Sequence, residues 1–198
     1  MLRGIVLLSA LAAAALAGCQ SARTPREYAL ENAPAALVPA AADADSTIAR
    51  LQRRLGARLK AEIEAKGAVG ALTVCRDSAQ VMTAEIAEAN GIQAGRTSRR
   101  LRNPGNAPRA WVKPYVDAAV DGTPASSVKA VVVDLGEKVG VLRPIPTQAL
   151  CLKCHGAADS LSHDLTQALR ESYPEDRAVD YREGDLRGFF WAEAPKRR

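Results

Sequence analysis

The sequence predicts one α+β domain that follows a short leader and a linker. Apolar residues recur at spacings of three and four from Ser46, and again from about Leu72, which is the period of amphipathic helices. The continuous β-branched run Val128–Leu135 is typical of a buried strand, and Gly136 after it allows a hairpin into the next strand. An aromatic segment that begins at Gly184 predicts a closing strand. Helices followed by strands in this order are typical of the α+β class.

The N-terminus has the layout of a secretory signal peptide. Arg3 precedes a short apolar run that ends at Ala17, and about 20 apolar residues would be needed to span a bilayer. The run closes with Leu16-Ala17-Gly18-Cys19, which resembles the lipobox of bacterial lipoproteins. This resemblance implies that residues 1–18 are removed and that Cys19 is lipidated. Gln20 after the cysteine resembles lipoproteins of the outer membrane, so we expect a periplasmic protein anchored there through Cys19.

Residues 19–45 are rich in alanine and contain Pro25, Pro34 and Pro39, which predicts a flexible tether with the folded domain over residues 46–198. The formal net charge of +5 could indicate nucleic-acid binding. An exported lipoprotein rarely meets nucleic acid, so we expect none as a partner.

A local sequence pattern predicts each helix, loop and hairpin of the domain. Ser46 can cap the first helix, which Gly67 and Gly70 are expected to end. The second helix is predicted from about Leu72 to Asn90, with Cys75 and Met82 in one buried stripe. Residues 95–108 read as a loop, residues 111–119 as a short helix, residues 128–145 as the hairpin and residues 161–170 as a further helix.

The chemistry centres on Cys151-Leu152-Lys153-Cys154-His155, the attachment signature of a c-type haem. Two intervening residues let both thiols add across the two vinyl groups of one porphyrin. His155 can then be the proximal iron ligand. A redox dithiol would not require the histidine. Zinc needs four converging ligands, which the adjacent Cys154 and His155 do not supply.

One cysteine is left over. Of four cysteines, Cys19 is assigned to lipid and Cys151 and Cys154 to haem, which leaves Cys75. Both Cys75 and Met82 are candidates for the second axial ligand, and the residue pattern alone does not separate them.

Arginines are the candidate partners of the haem propionates, because the guanidinium fork matches a carboxylate bidentately. The loop over residues 95–108 contains several arginines and no acid, and its alternative reading is a solvated basic loop. We predict Arg96 and Arg99 from this loop, and Arg143 just before the haem motif, as propionate partners. His163 is expected at the surface.

Several separated blocks resemble an exported c-type haem domain family with a PAS-like fold, a family of unknown function. The matching blocks are Val74-Cys75-Arg76-Asp77, Arg102-Asn103-Pro104, Arg143-Pro144-Ile145, Cys151–Gly156, Tyr173-Pro174 and Gly184–Gly188. The resemblance implies a PAS-like antiparallel sheet flanked by N-terminal helices and one covalent haem c. It also implies that His155 and Cys75 are the two axial ligands. An anionic sulfur ligand favours ferric iron and lowers the reduction potential.

The functional expectation is therefore a sensor of redox state or of a diatomic gas, acting on an unidentified redox or signalling protein. The alternative is an electron-transfer cytochrome c lipoprotein that passes electrons to a periplasmic partner. We do not expect an enzyme, because peroxidase-like chemistry needs an open axial position and an acid–base residue.

Overall fold

The computed structural model describes residues 25–89 and 91–197, so the predicted signal peptide and Cys19 lie outside the described part of the chain. Within it the strands are β1 Arg26–Ala29, β2 Gln93–Thr97, β3 Val131–Asp134, β4 Lys138–Pro146 and β5 Leu186–Pro195. The α-helices are α1 Val38–Thr73, α2 Ala79–Glu88, α3 Lys113–Ala118, α4 Ala149–His155 and α5 His163–Ser172. A π-helical turn, Val74–Ser78, joins α1 to α2. Short 3₁₀ turns lie at Leu30–Asn32, Pro104–Asn106, Ala125–Ser127 and Ala158–Ser160.

The five strands form one antiparallel sheet in the order β1-β3-β4-β5-β2, which confirms the predicted α+β class. Alternate residues of a strand face opposite sides of a sheet. On one side Val141 and Phe190 pack against α1 and α2, and on the other Leu142 and Phe189 pack against Val112 at the start of α3. The assignment of this sheet to the PAS type stays a prediction.

The strand expected to close the chain lies inside the sheet. β5 pairs with β4 along nearly its whole length and with β2 on its other side. β2 itself covers Gly95–Thr97, which the sequence assigned to a loop. A side chain at Gly95 would lie 2.6 Å from the ring of Trp191, so this glycine lets the indole pack flat on the strand.

The expected tether through residue 45 differs from the structure. β1 pairs with β3, and α1 begins at Val38, where Ala40, Ala41 and Ala44 are buried against the sheet. Alanine is the strongest helix former, and its small side chain allows a helix to approach a sheet closely. An alanine-rich segment that is typical of a flexible linker is therefore equally compatible with a helix packed on a sheet.

Helix α1 is 36 residues long and is interrupted at Gly67, whose φ of +69° and ψ of −173° are non-helical. Its first part packs on β4 and β5, and its last turns pack against α5. Gly67 was expected to end the helix, but the chain resumes its helical path to Thr73. Within the described ranges no helix combines the length and apolar character needed to cross a bilayer.

Candidate functional site

A cleft opens between the end of α1, the segment that follows β2, helix α4 and the start of β5. Its empty volume is about 1060 Å³ with the adjoining open solvent included. We call it the central cleft. Cys75, Cys151, Cys154 and His155 all line it, so folding brings together residues that are up to 80 positions apart along the sequence.

Cys75 lies in the π-helical turn, where the backbone N–H of Ala79 donates to the carbonyl of Val74. Such a turn holds one more residue than an α-helical turn and is frequent at functional sites. The extra residue rotates the side chains after the turn to a different face of the helix from the one that α-helical spacing would give them. Cys75 consequently lines the central cleft, whereas Met82 is buried in the main core. The prediction that both lie on one buried face is wrong for this reason, and Met82 is not among the residues of the cleft.

Helix α4 presents both cysteines of the haem motif. Cys151 and Cys154 are three residues apart, which puts them on one face of the helix, and both are half-buried. The backbone N–H of Gln148 approaches the Cys151 sulfur at 3.4 Å, as part of the cap that begins the helix. Burial raises the pKa of the Cys154 thiol, with Arg102 acting in the opposite direction.

His155 is held in one tautomer. Its Nδ1 lies 2.6 Å from the carbonyl oxygen of Ala178, and because a carbonyl only accepts, Nδ1 carries the proton. Burial, followed by the positive charges of Arg187 and Arg102, lowers the pKa of His155 well below its ordinary value. The imidazole is therefore neutral, with the lone pair of Nε2 as its donor, which is the form that binds metals.

Arg187 lies across the imidazole. One terminal nitrogen of Arg187 lies 3.4 Å from each of the two ring nitrogens of His155. Equal distances to both nitrogens indicate that the guanidinium lies against the face of the ring. Both distances are longer than a normal hydrogen bond. The same guanidinium lies 4.9 Å from the centre of the Tyr181 ring. Arg187 thus brings a positive charge to the part of the cleft that carries His155.

Arg102 ties the haem motif to the chain that follows α5. It donates from Nε to Asp176 at 2.9 Å and from one terminal nitrogen to the carbonyl of Cys154 at 2.7 Å. The same terminal nitrogen lies 3.3 Å from the carbonyl of Ala178, the acceptor of His155. Arg102 is thus linked both to the helix that carries the thiols and to the carbonyl that orients the imidazole.

The predicted propionate partners divide into two groups. Arg96 lines the cleft, forms no ion pair with any acid in the described part of the chain, and has its pKa lowered by burial. Arg99 is exposed and pairs with Asp121 at 3.0 Å, and Arg143 is paired with Asp45 of α1. Neither Arg99 nor Arg143 lines the cleft.

Sequence reasoning missed Arg102 and Arg187 as individual site residues. Arg102 belongs to the acid-free loop that predicted Arg96, and Arg187 lies in the block Gly184–Gly188. Both residues thus lie in segments that the sequence singled out, but a run of arginines does not indicate which side chains face the interior of the protein.

A family model described as Tll0287-like: Tll0287 matches residues 12–195. The chain belongs to this family. The crystal structure of the cyanobacterial heme-protein Tll0287 is similar to it, with 26% sequence identity, a TM-score of 0.57, and coverage of 77% of this chain and 92% of that chain. The comparison with curated proteins returned no match.

In this member of the Tll0287-like family, the donors of the cleft fit a haem better than a bare metal ion. No group of three or more histidine, cysteine or acidic residues that could hold a metal occurs among residues 25–89 and 91–197. Structural zinc requires four protein ligands, whereas haem iron takes only its axial ligands from the protein. The roles of Cys75, Cys151, Cys154 and His155 as ligands or attachment points stay predictions.

Buried polar atoms without hydrogen-bond partners in the cleft also support a bound haem. Thr97 Oγ1, one terminal nitrogen of Arg102 and the hydroxyl of Tyr173 are buried without a hydrogen-bond partner in the described residues, and all three residues line the cleft. Buried polar groups are normally satisfied, so such a cluster indicates a polar ligand. A guanidinium with a free N–H is a suitable partner for a carboxylate, the group that a haem carries at its edge.

Proposed function

We propose that this chain is an exported haem protein with one haem c attached through Cys151 and Cys154, and that it senses redox state or a diatomic gas. The single observation that carries the proposal is the convergence of Cys75, Cys151, Cys154 and His155 on one cleft. The kinship with a heme-protein family supports a haem in this cleft.

The chain would hold the group through four kinds of contact. Cys151 and Cys154 supply thiols on one face of α4, and His155 supplies the Nε2 lone pair that its bond to Ala178 leaves free. Cys75 supplies a sulfur from another wall of the cleft. Arg96 and Arg102 supply cationic donors without a full set of partners. When bound, the iron supplies a one-electron redox couple and an axial position at which a small ligand can compete.

The position of Cys75 supports sensing over simple electron carriage. It lies on a π-helical turn just after the part of α1 that follows the break at Gly67. A short segment of this kind can change its hydrogen-bonding pattern more easily than the middle of a regular helix. His155, by contrast, is fixed by Ala178 and by the Arg102 contacts around it. We therefore propose that Cys75 is the exchangeable ligand and His155 the permanent one.

Covalent attachment is tested by mass. The full chain is produced in a bacterium that matures c-type haem, and the intact mass and the pyridine haemochrome spectrum are recorded. The wild type is expected to carry one haem through two thioether bonds, Cys151→Ala through one, and Cys75→Ala through two. A colourless wild-type protein without added mass would refute the proposal.

Sensing is tested by ligand exchange. The reduced protein is titrated with CO and with NO while the absorption spectrum is followed. A sensor is expected to bind the gas in place of Cys75. A protein that keeps the same ligation in both redox states and binds neither gas would instead be an electron carrier, the alternative function.

Export is part of the proposal. We propose that Cys19 is lipidated and that the protein faces the periplasm from the outer membrane, where it acts on a redox or signalling protein and not on nucleic acid. A single acyl chain binds membranes only marginally, so a lipoprotein anchor needs its full set of chains. Labelled fatty acid should enter the wild type but not Cys19→Ser. We also propose that the protein has no enzymatic turnover, because His155 and Cys75 together fill both axial positions in the ferric resting state.

A further inference from the structure

One buried hydroxyl on the wall of the central cleft has no partner. Tyr173 is 6% exposed, and its hydroxyl has no hydrogen bond within the described residues. Its backbone N–H donates to the carbonyl of Leu169 at 2.7 Å at the end of α5, which fixes where the ring leaves the helix. A buried hydroxyl without a hydrogen-bond partner destabilises the folded chain. A tyrosine held this way indicates an acceptor that becomes available only when the cleft is occupied.

The packing of Tyr173 brings it to the helix that carries Cys75. Tyr173 belongs to a small hydrophobic cluster with Leu72, Leu165 and Leu169, and Cys154 packs on its edge. Leu72 precedes Cys75 by three residues, so the two follow each other along one helical face. Tyr173 thus shares a cluster with a residue one turn before Cys75, and both Tyr173 and Cys75 line the cleft.

Arg96 completes the group from β2. It lines the same cleft and has no acidic partner among the residues described. Arg96, Tyr173 and Cys75 thus line one cleft and come from three different elements of the fold.

We propose that Tyr173 donates a hydrogen bond to the sulfur of Cys75 when that sulfur is an axial thiolate, and that Arg96 holds a positive charge beside the same sulfur. The inference rests on the proposed function and deepens it, since it names the residues that set how strongly the thiolate donates. Hydrogen bonds to a ligating sulfur draw electron density away from the metal and change its potential. Tyr173 and Arg96 are positioning residues that act through Cys75.

The experiment compares Tyr173→Phe with Tyr28→Phe in the haem-loaded full chain. Tyr28 lies on β1, next to the main core and outside the cleft, so its variant controls for loss of a hydroxyl elsewhere. The midpoint potential and the iron–sulfur stretching frequency are measured. In Tyr173→Phe we expect the reduction equilibrium constant to fall by up to about tenfold, which is about 59 mV for one electron, and the stretching frequency to rise. Tyr28→Phe should change neither quantity.

Arg96 provides a second test that does not depend on the tyrosine. Arg96→Gln should also lower the potential, and Arg96→Lys, which keeps the charge, should restore most of it. Unchanged values in Tyr173→Phe would overturn the inference. So would a potential that moves without the iron–sulfur frequency, because the hydroxyl would then act on another group such as a haem carboxylate.

Different results would refute the proposed ligation and the role of Tyr173. If Cys75→Ala leaves the ferric spectrum unchanged, or if the wild type binds no haem, the proposed ligation itself is refuted. If Cys75→Ala changes the spectrum and Tyr173→Phe has no effect, only the role of Tyr173 is refuted.

Discussion

His155 donates from Nδ1 to the carbonyl oxygen of Ala178 over 2.6 Å, and this one contact determines which ring nitrogen is free. Arg102 lies 3.3 Å from the same oxygen and also binds Asp176 and the carbonyl of Cys154. The orientation of the imidazole is thus secured by a buried arginine more than 50 residues earlier in the chain.

Loss of Arg102 should be costly. Arg102 and Asp176 form a buried ion pair at 2.9 Å, and removing one partner leaves an uncompensated charge. We expect Arg102→Leu to lower the free energy of unfolding by about 3–5 kcal/mol, measured by urea denaturation. Arg99→Leu is the matched control, because Arg99 pairs with Asp121 at the exposed surface and should contribute at most about 1 kcal/mol. Equal losses in the two variants would contradict this account.

The identity of the second axial ligand can be read from two sulfur variants. Cys75→Ser should change the ferric absorption and EPR spectra, because Cys75 lines the central cleft. Met82→Leu should leave both spectra unchanged and cost less than about 1.5 kcal/mol of stability, since Met82 is packed in the main core and leucine has a similar volume. A spectral change in Met82→Leu alone would assign the ligand to Met82.

Gly188 is needed where β5 meets the wall of the cleft. Its φ is +153°, and an added Cβ would meet the carbonyl oxygen of Thr97 and lie 3.0 Å from the Cβ of Ser98. We expect Gly188→Ala to lower stability by roughly 2–5 kcal/mol, from backbone strain and overpacking together. Gly122 also has a positive φ, +79°, but has open space around it, so Gly122→Ala should cost only about 1–2 kcal/mol. Thermal melts of the two variants give the comparison, and similar losses would show that the contact with Thr97 is unimportant.

Glu193 should make stability depend on pH. It is buried, and it accepts from Arg109 and from the indole N–H of Trp111, both at 2.8 Å. Burial alone would raise its pKa, but these contacts outweigh it and the pKa is lowered from 4.5. A carboxyl with a lowered pKa contributes stability above its unfolded pKa, and the contribution is lost as the pH falls through its folded pKa.

Glu193→Gln should therefore cost about 1.5–3 kcal/mol at neutral pH, and the deficit should shrink as the pH falls below 4.5. Urea denaturation at several pH values measures this. Asp117→Asn, which removes an exposed pair with Lys113, serves as the control and should have little effect at any pH. A deficit that grows on acidification would have the wrong sign.

Much of the architecture was readable from local patterns. The β-branched run around Val131–Asp134 followed by Gly136 predicted the β3–β4 hairpin, and the apolar period predicted the helical segments. Cys151, Cys154 and His155, which their spacing singled out, all line the central cleft. These features depend on neighbours in sequence, because turns, helix faces and the haem motif are built from residues a few positions apart.

The sequence by itself determined the α+β class, and it predicted the haem motif and a further role for Cys75. Only the tertiary structure separated Cys75 from Met82, because a single π-helical turn shifts one side of the helix relative to the other. It also turned Arg96 and Arg102 toward the cleft and left Arg99 and Arg143 with acids elsewhere. Which arginine faces inward depends on strand pairing and on partners far along the chain, and a local pattern of charges contains neither.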